Sequence, residues 1–122
     1  MSDVGFILVY VDDVAASEAF YASILGRPAV ESSPTFAMLP AAPGLMLGLW
    51  RRDGVAPAAT PAGGGEIAFP VDGAGEVDRL FAEWRAQGVT IAQPPATMDF
   101  GYTFVALDPD GQRLRVFAPA PG

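Results

Sequence analysis

The sequence predicts an α+β fold made of two βαβββ modules. A strand-like run, Phe6 to Val11, meets Asp12-Asp13, and an amphipathic helix pattern follows and stops at Gly26. The same order returns at Glu66 to Val71, which meets Asp72-Gly73 and a second helix pattern stopping at Gly88. Each helix pattern is followed by three short strand-like runs. Two such modules form half-open sheets with concave faces, and the cleft where those faces meet is where function is expected.

Module one is expected over about residues 5–50, with a first strand at 5–11. Its helix runs from about 13 to 25. Either Asp12 or Asp13 can cap the free N–H groups at its start. Val14, Ser17, Phe20-Tyr21 and Ile24-Leu25 fall at helical spacing, and Gly26 suits the left-handed position just past the end. Strands follow at about 28–32, 34–39 and 45–50. Residues 51–64 have no usable periodicity and read as the linker, long for a connection inside a domain.

Module two spans about 65–118. A strand at 65–71 leads to a helix at about 74–87, with Asp72 as its expected cap and Val77, Leu80-Phe81 and Trp84 on one face. Strands are expected at about 89–92, 101–107 and 112–118. Pro94-Pro95 is expected to break the chain between the first two. Asp108-Pro109-Asp110-Gly111 places Pro at i+1 and Gly at i+3, which suits a type I turn and a hairpin. Its two aspartates do not make a calcium loop, because the other ligands of such a loop are absent.

Composition narrows the function classes. With 122 residues, 51% of them hydrophobic, the chain can bury a real core and is not expected to be disordered. No apolar run approaches the roughly 18–20 residues of a membrane span. Met1-Ser2-Asp3 lacks the basic start of a secretory signal, so a cytoplasmic location is expected. The net charge is −7, and Arg51-Arg52 is the only basic cluster, which argues against binding a nucleic-acid backbone. The acidity serves solubility, or favours neutral or cationic ligands. The chain has no cysteine and no histidine. Disulfides, thiolate metal sites and Ser-His or Cys-His nucleophiles are therefore excluded.

Several stretches carry a family resemblance: Val11-Asp12-Asp13-Val14, Phe20-Tyr21, Leu25-Gly26 and the closing Asp108-Pro109-Asp110-Gly111 with its final strand. Across nearly its whole length the chain resembles the vicinal oxygen chelate superfamily of glyoxalases, extradiol dioxygenases and fosfomycin- and bleomycin-resistance proteins. Within it, the chain is most similar to phenazine-antibiotic resistance proteins, which sequester their drug. That closer likeness rests on Leu8 to Val11, Pro34 to Ala37, Leu49-Trp50, Val77 to Trp84, Phe100 to Phe104, Asp108 to Gly111 and Arg115-Val116.

Enzymes of the superfamily hold a divalent metal with His and Glu on inward strand positions. Aligned on the repeat, those positions are Phe6, Leu47, Glu66 and Arg115. Only Glu66 is an anionic oxygen donor, and a guanidinium does not ligate metals. The set falls short of the ligand count for zinc, iron, manganese or nickel, so no metal and no other cofactor is expected.

Without a metal, the cleft would offer aromatic and apolar walls with a few polar handles. Trp50, at a strand end beside the linker, is expected there, with Phe36, Phe100 and Tyr102. Flat rings bury large area at small entropic cost. Met38 and Met46 would adapt to an irregular polycycle. Trp84, Phe104, Phe117 and Phe20 are expected in the core. Glu66 and Arg115 either pair as a structural salt bridge or contact ligand directly. An unpaired, buried Glu66 would have a raised pKa and could act as a base.

The expected function is metal-independent binding and sequestration of a planar aromatic antibiotic or metabolite of phenazine or bleomycin type, giving resistance. No catalytic residue is assigned. The alternatives are a metal-free enzyme using Glu66 as general base and, further off, a glyoxalase- or dioxygenase-like metalloenzyme. The resemblance also implies a homodimer.

Overall fold

A computed structural model describes residues 3–61 and 63–120. Met1-Ser2 and Ala62 of the linker lie outside the described residues. The chain divides into two compact units, Met1–Pro61 and Ala62–Gly122.

The first unit contains β1 (Phe6–Val11), α1 (Val14–Leu25), β2 (Glu31–Ser32), β3 (Phe36–Ala42) and β4 (Leu45–Arg51), closed by a 3-10 turn at Arg52–Gly54. Its sheet runs β1-β4-β3-β2, so the first strand lies parallel to the last. The second unit repeats the order with β5 (Glu66–Pro70), α2 (Ala74–Ala86), β6 (Thr90–Met98), β7 (Gly101–Leu107) and β8 (Arg113–Pro119). Its sheet runs β5-β8-β7-β6, and β5 is parallel to β8. Two helices and two four-stranded mixed sheets make this an α+β fold, as the sequence predicts.

Each helix covers one face of its own sheet. In the first unit α1 packs on β3 and β4. Val14, Ser17 and Tyr21 are buried along one side of α1, and Val9, Val11, Ala37, Leu39, Leu47 and Leu49 meet that side from the strands. In the second unit Trp84 and Phe81 of α2 close edge-on against Phe104, and Trp84 also against Phe69. Phe104 is fully buried. Removing a side chain of that size from water contributes roughly 1.5–3 kcal/mol, so this ring cluster anchors α2.

The caps differ between the helices. Asp13 caps α1 by accepting from the Ala16 N–H at 3.1 Å, and Gly26 ends it at φ 69°. α2 starts instead from Gly73, in extended conformation, and no side chain caps it. The expected Asp72 cap is corrected, because Asp72 lies one residue before the N-cap position from which a side chain reaches the free N–H groups.

Pro94-Pro95 does not end a strand. β6 continues through both prolines to Met98, with irregular register between Ile91 and Gln93 and again between Gln93 and Ala96. β6 is an edge strand, so a missing N–H there can face away from the ladder without costing a hydrogen bond. The Asp108–Gly111 segment is a turn. The Asp108 carboxylate accepts from the Asp110 and Gln112 N–H groups at 2.8 Å each, and Gly111 N–H donates to the Asp108 carbonyl. No helix among the described residues is long and apolar enough to cross a membrane.

Gly101, at the start of β7, has φ 147°, and a Cβ built there would collide with the Ala118 carbonyl oxygen on β8. Both the conformation and the space exclude a side chain. Gly101→Ala should therefore cost roughly 2–4 kcal/mol in chemical denaturation. Gly26→Ala, strained but in open space, should cost about 1–2 kcal/mol. Equal losses would contradict the close β7–β8 approach.

Candidate functional site

The faces that the helices leave uncovered carry the functional candidates. Side chains alternate along a strand, so strand register assigns every residue to one face or the other.

In the first unit, Phe6 pairs with Met46, Leu8 with Gly48 and Tyr10 with Trp50 across the parallel β1–β4 pair. Phe36 pairs with Trp50 and Met38 with Gly48 across β3–β4. Across β1, β4 and β3 this helix-free face is therefore aromatic and apolar, and Glu31, opposite Met38 on β2, is the charge at its edge. Tyr10 stands edge-on to Trp50 at 6.3 Å. Gly48 is buried at the centre, where Leu8 and the Phe36 ring fill the space that a side chain would need. Trp50, Phe36, Met38 and Met46 are half-buried, whereas Phe6 (56%) and Leu8 (47%) remain largely exposed. Exposed apolar groups clustered on one face mark an interaction surface better than the same groups scattered singly.

At the far end of this face, Arg52 steadies the chain as it leaves β4. Its guanidinium donates to Asp12 Oδ1 at 3.2 Å and to the Thr60 carbonyl at 3.2 Å. The neighbouring Arg51 pairs with Asp53 at 2.7 Å.

In the second unit, β5 and β8 place Glu66, Ala68, Arg113, Arg115 and Phe117 on the helix-free face, joined from β7 by Thr103 and Val105. The Arg115 guanidinium grips Glu66 with both ends, Nε to Oε1 at 2.8 Å and Nη2 to Oε2 at 2.9 Å. Its third nitrogen, Nη1, donates to the Thr103 hydroxyl at 3.2 Å, which itself donates to the Val116 carbonyl at 2.8 Å. The buried Thr103 thus ties the ion pair to the sheet. The Phe100 ring lies 5.5 Å from the guanidinium carbon and stands edge-on to Phe117 at 6.2 Å.

Sequence alignment of the repeat misassigns two residues. Leu47 pairs with Ile7 and Leu39, is buried, and faces α1. It does not line the helix-free face, and the first-unit counterpart of Arg115 is Gly48. Tyr102 also lies on the helix side, where its hydroxyl donates to Asp78 of α2 at 2.7 Å. That bond raises the Tyr102 pKa and makes the residue a tie between helix and sheet. In both cases a one-residue slip in register moved the side chain to the opposite face. Phe117 errs the other way: expected in the core, it stands half-buried on the helix-free face. Trp84 and Phe104 are buried core residues as expected, and Phe20 is half-buried against Tyr21.

The fit to a metal fails on donor chemistry. The strand positions Phe6, Gly48, Glu66 and Arg115, equivalent between the two units, provide one carboxylate between them. Among the described residues no three His, Cys, Asp or Glu side chains gather closely enough to hold an ion. Glu66 itself already has both oxygens on Arg115. Those hydrogen bonds hold its carboxyl below the ordinary carboxylate range despite partial desolvation, and the charges of Arg115 and Arg113 add to the effect. The pairing in turn raises the Arg115 pKa.

The chain belongs to the glyoxalase/bleomycin resistance protein/dioxygenase superfamily, whose family model matches residues 4–116. Over 112 residues it is 33% identical to the phenazine antibiotic resistance protein EhpR of Enterobacter agglomerans, covering 89% of this chain and 86% of that protein. The solution NMR structure of protein ATC0852 from Agrobacterium tumefaciens is similar at a TM-score of 0.90 and 51% identity, over 99% of this chain and 100% of that one. A glyoxalase/bleomycin resistance protein/dioxygenase from Nocardioides is similar at a TM-score of 0.84 and 25% identity, covering 100% and 86% of the two chains.

The Glu66 pairing has a defined pH signature. Its folded-state pKa is depressed, so its stabilisation is complete above the unfolded value of about 4.3. It is lost as pH falls through the lower folded value. Glu66→Gln should cost on the order of 1–2 kcal/mol near neutral pH, a typical loss for a partly buried charged hydrogen bond. The gap to wild type should shrink as the pH is lowered from about 6 to about 3. Denaturation at several pH values measures it, and a pH-independent gap would remove the pairing as its cause.

Proposed function

We propose that this protein binds a planar aromatic antibiotic or metabolite, of phenazine or bleomycin type, without a metal, and confers resistance by sequestering it. The observation that carries this reading is the helix-free face of the first unit, where Tyr10 stands edge-on to Trp50, Phe36 pairs with Trp50, and the Phe36 ring and Leu8 close over Gly48. Rings held in place on a rigid sheet suit stacking against a flat polycycle, and the adjacent Met38 and Met46 accommodate irregular outlines. The likeness to a phenazine antibiotic resistance protein supports the same reading. Binding without chemistry requires no nucleophile or metal, and the chain has neither histidine nor cysteine. A metal-free enzyme with Glu66 as general base is disfavoured, because a carboxylate held at low pKa by an arginine is a poor proton acceptor near neutral pH.

Tryptophan fluorescence with a panel of phenazines, quinoxalines and bleomycin-type compounds tests the reading. A bound polycycle should quench Trp50 and leave the buried Trp84 largely unaffected. Trp50→Ala should fold and weaken binding by roughly 1–3 kcal/mol, the usual cost of truncating an aromatic anchor. Phe36→Ala should weaken it less, and chelator should change nothing. Unchanged affinity in Trp50→Ala would overturn the stacking surface, and affinity lost with chelator would overturn metal independence.

We also propose a cytoplasmic homodimer, the assembly that the superfamily resemblance implies. Each sheet has two edge strands, and such edges gain from being covered. Sedimentation at micromolar concentration should give a dimer, and a monomer that still binds ligand would contradict this assembly.

A further inference from the structure

The second unit has a hollow of about 340 Å³ lined by Ala92, Gln93, Met98, Val105, Arg113 and Arg115. Its charge is unexpected in a chain of net charge −7. Arg113 and Arg115 are two residues apart on β8, so both fall on the helix-free face. One carboxylate, Glu66, stands beside them, and both its oxygens are on Arg115. Arg113 takes part in no ion pair or side-chain hydrogen bond among the described residues. Two guanidinium groups against one carboxylate leave the hollow one positive charge in excess.

We propose that this hollow is an anion subsite that takes the carboxylate of an aromatic acid, with Arg113 as the residue that selects for it. The guanidinium fork matches a carboxylate in shape and hydrogen-bond direction. The half-buried Gln93 adds a neutral polar group to the lining. The buried Val105 gives the lining an apolar base, and the exposed Met98 and Phe100 beside Arg115 offer apolar surface to the aromatic body. The volume lies at the small end of ligand pockets, enough for the acid-bearing end of a polycycle. The whole-chain acidity points to cationic or neutral ligands, but local charge decides recognition at short range, because distant charges are screened. The subsite rests on the small-molecule reading above and narrows the ligand class to aromatic carboxylates.

Calorimetric titration with phenazine-1-carboxylate and with unsubstituted phenazine tests it. Wild type should favour the carboxylate by about tenfold, and added salt should erode that preference alone. Arg113→Gln should bring the two affinities within about twofold and leave the neutral compound unchanged, while Arg113→Lys should retain part of the preference. Arg27→Gln, an exposed arginine elsewhere on the chain, should behave as wild type. Equal affinities in wild type, or equal weakening of both compounds by Arg113→Gln, would overturn the subsite while leaving the binding reading intact. Binding of neither compound would overturn both.

Discussion

The structure depends on one constraint: each sheet carries its helix on one face only. A strand presents successive side chains to opposite faces, so the helix divides every strand into two sets of residues. The set beneath it must be apolar and closely packed, as Leu49, Leu39, Leu114 and Val116 are, all fully buried. The other set is released from the core. Both units use this freedom, and they use it differently.

In the first unit the released face is apolar from Phe6 to Trp50, with Gly48 at its centre in place of a side chain. Around it, Phe36 and Leu8 occupy the space that any larger residue would need. In the second unit the corresponding face is charged, with Glu66 matching Phe6 and Arg115 matching Gly48. The repeat thus yields one surface suited to stacking and another suited to hydrogen bonding and charge recognition. Small-molecule sites commonly need both kinds of group.

The Glu66–Arg115 pair stands on the helix-free face of β5 and β8. An arginine there brings a permanent positive charge and five N–H donors but no lone pair. Its charge is met by one carboxylate held at two points, and Thr103 satisfies the remaining nitrogen through a buried hydroxyl. Such a pair is costly to desolvate and is seldom a large net source of stability. Its value here lies in orientation: it fixes a guanidinium plane beside Phe100 and leaves Arg113 to face the hollow.

Much of the architecture was legible in the sequence because it follows from local chemistry. Asp13 and Gly26 bound the first helix, and Asp108 to Gly111 makes a turn whose bonds are all close in sequence. The repeated order of strand, helix and three strands showed the α+β class, and Glu66 and Arg115 stood out as charges among apolar strand residues. Register was not legible, since it depends on pairings between distant segments. A slip of one residue placed Leu47 and Tyr102 on the wrong face and hid Gly48, because strand alternation turns the smallest alignment error into a complete reversal. Pro94-Pro95 looked like a break because sequence does not reveal which strand will be an edge. The sequence by itself determined the order of the elements and the absence of histidine and cysteine. Only the tertiary structure decided which face each side chain occupies, because strand pairing is set by contacts across the whole sheet.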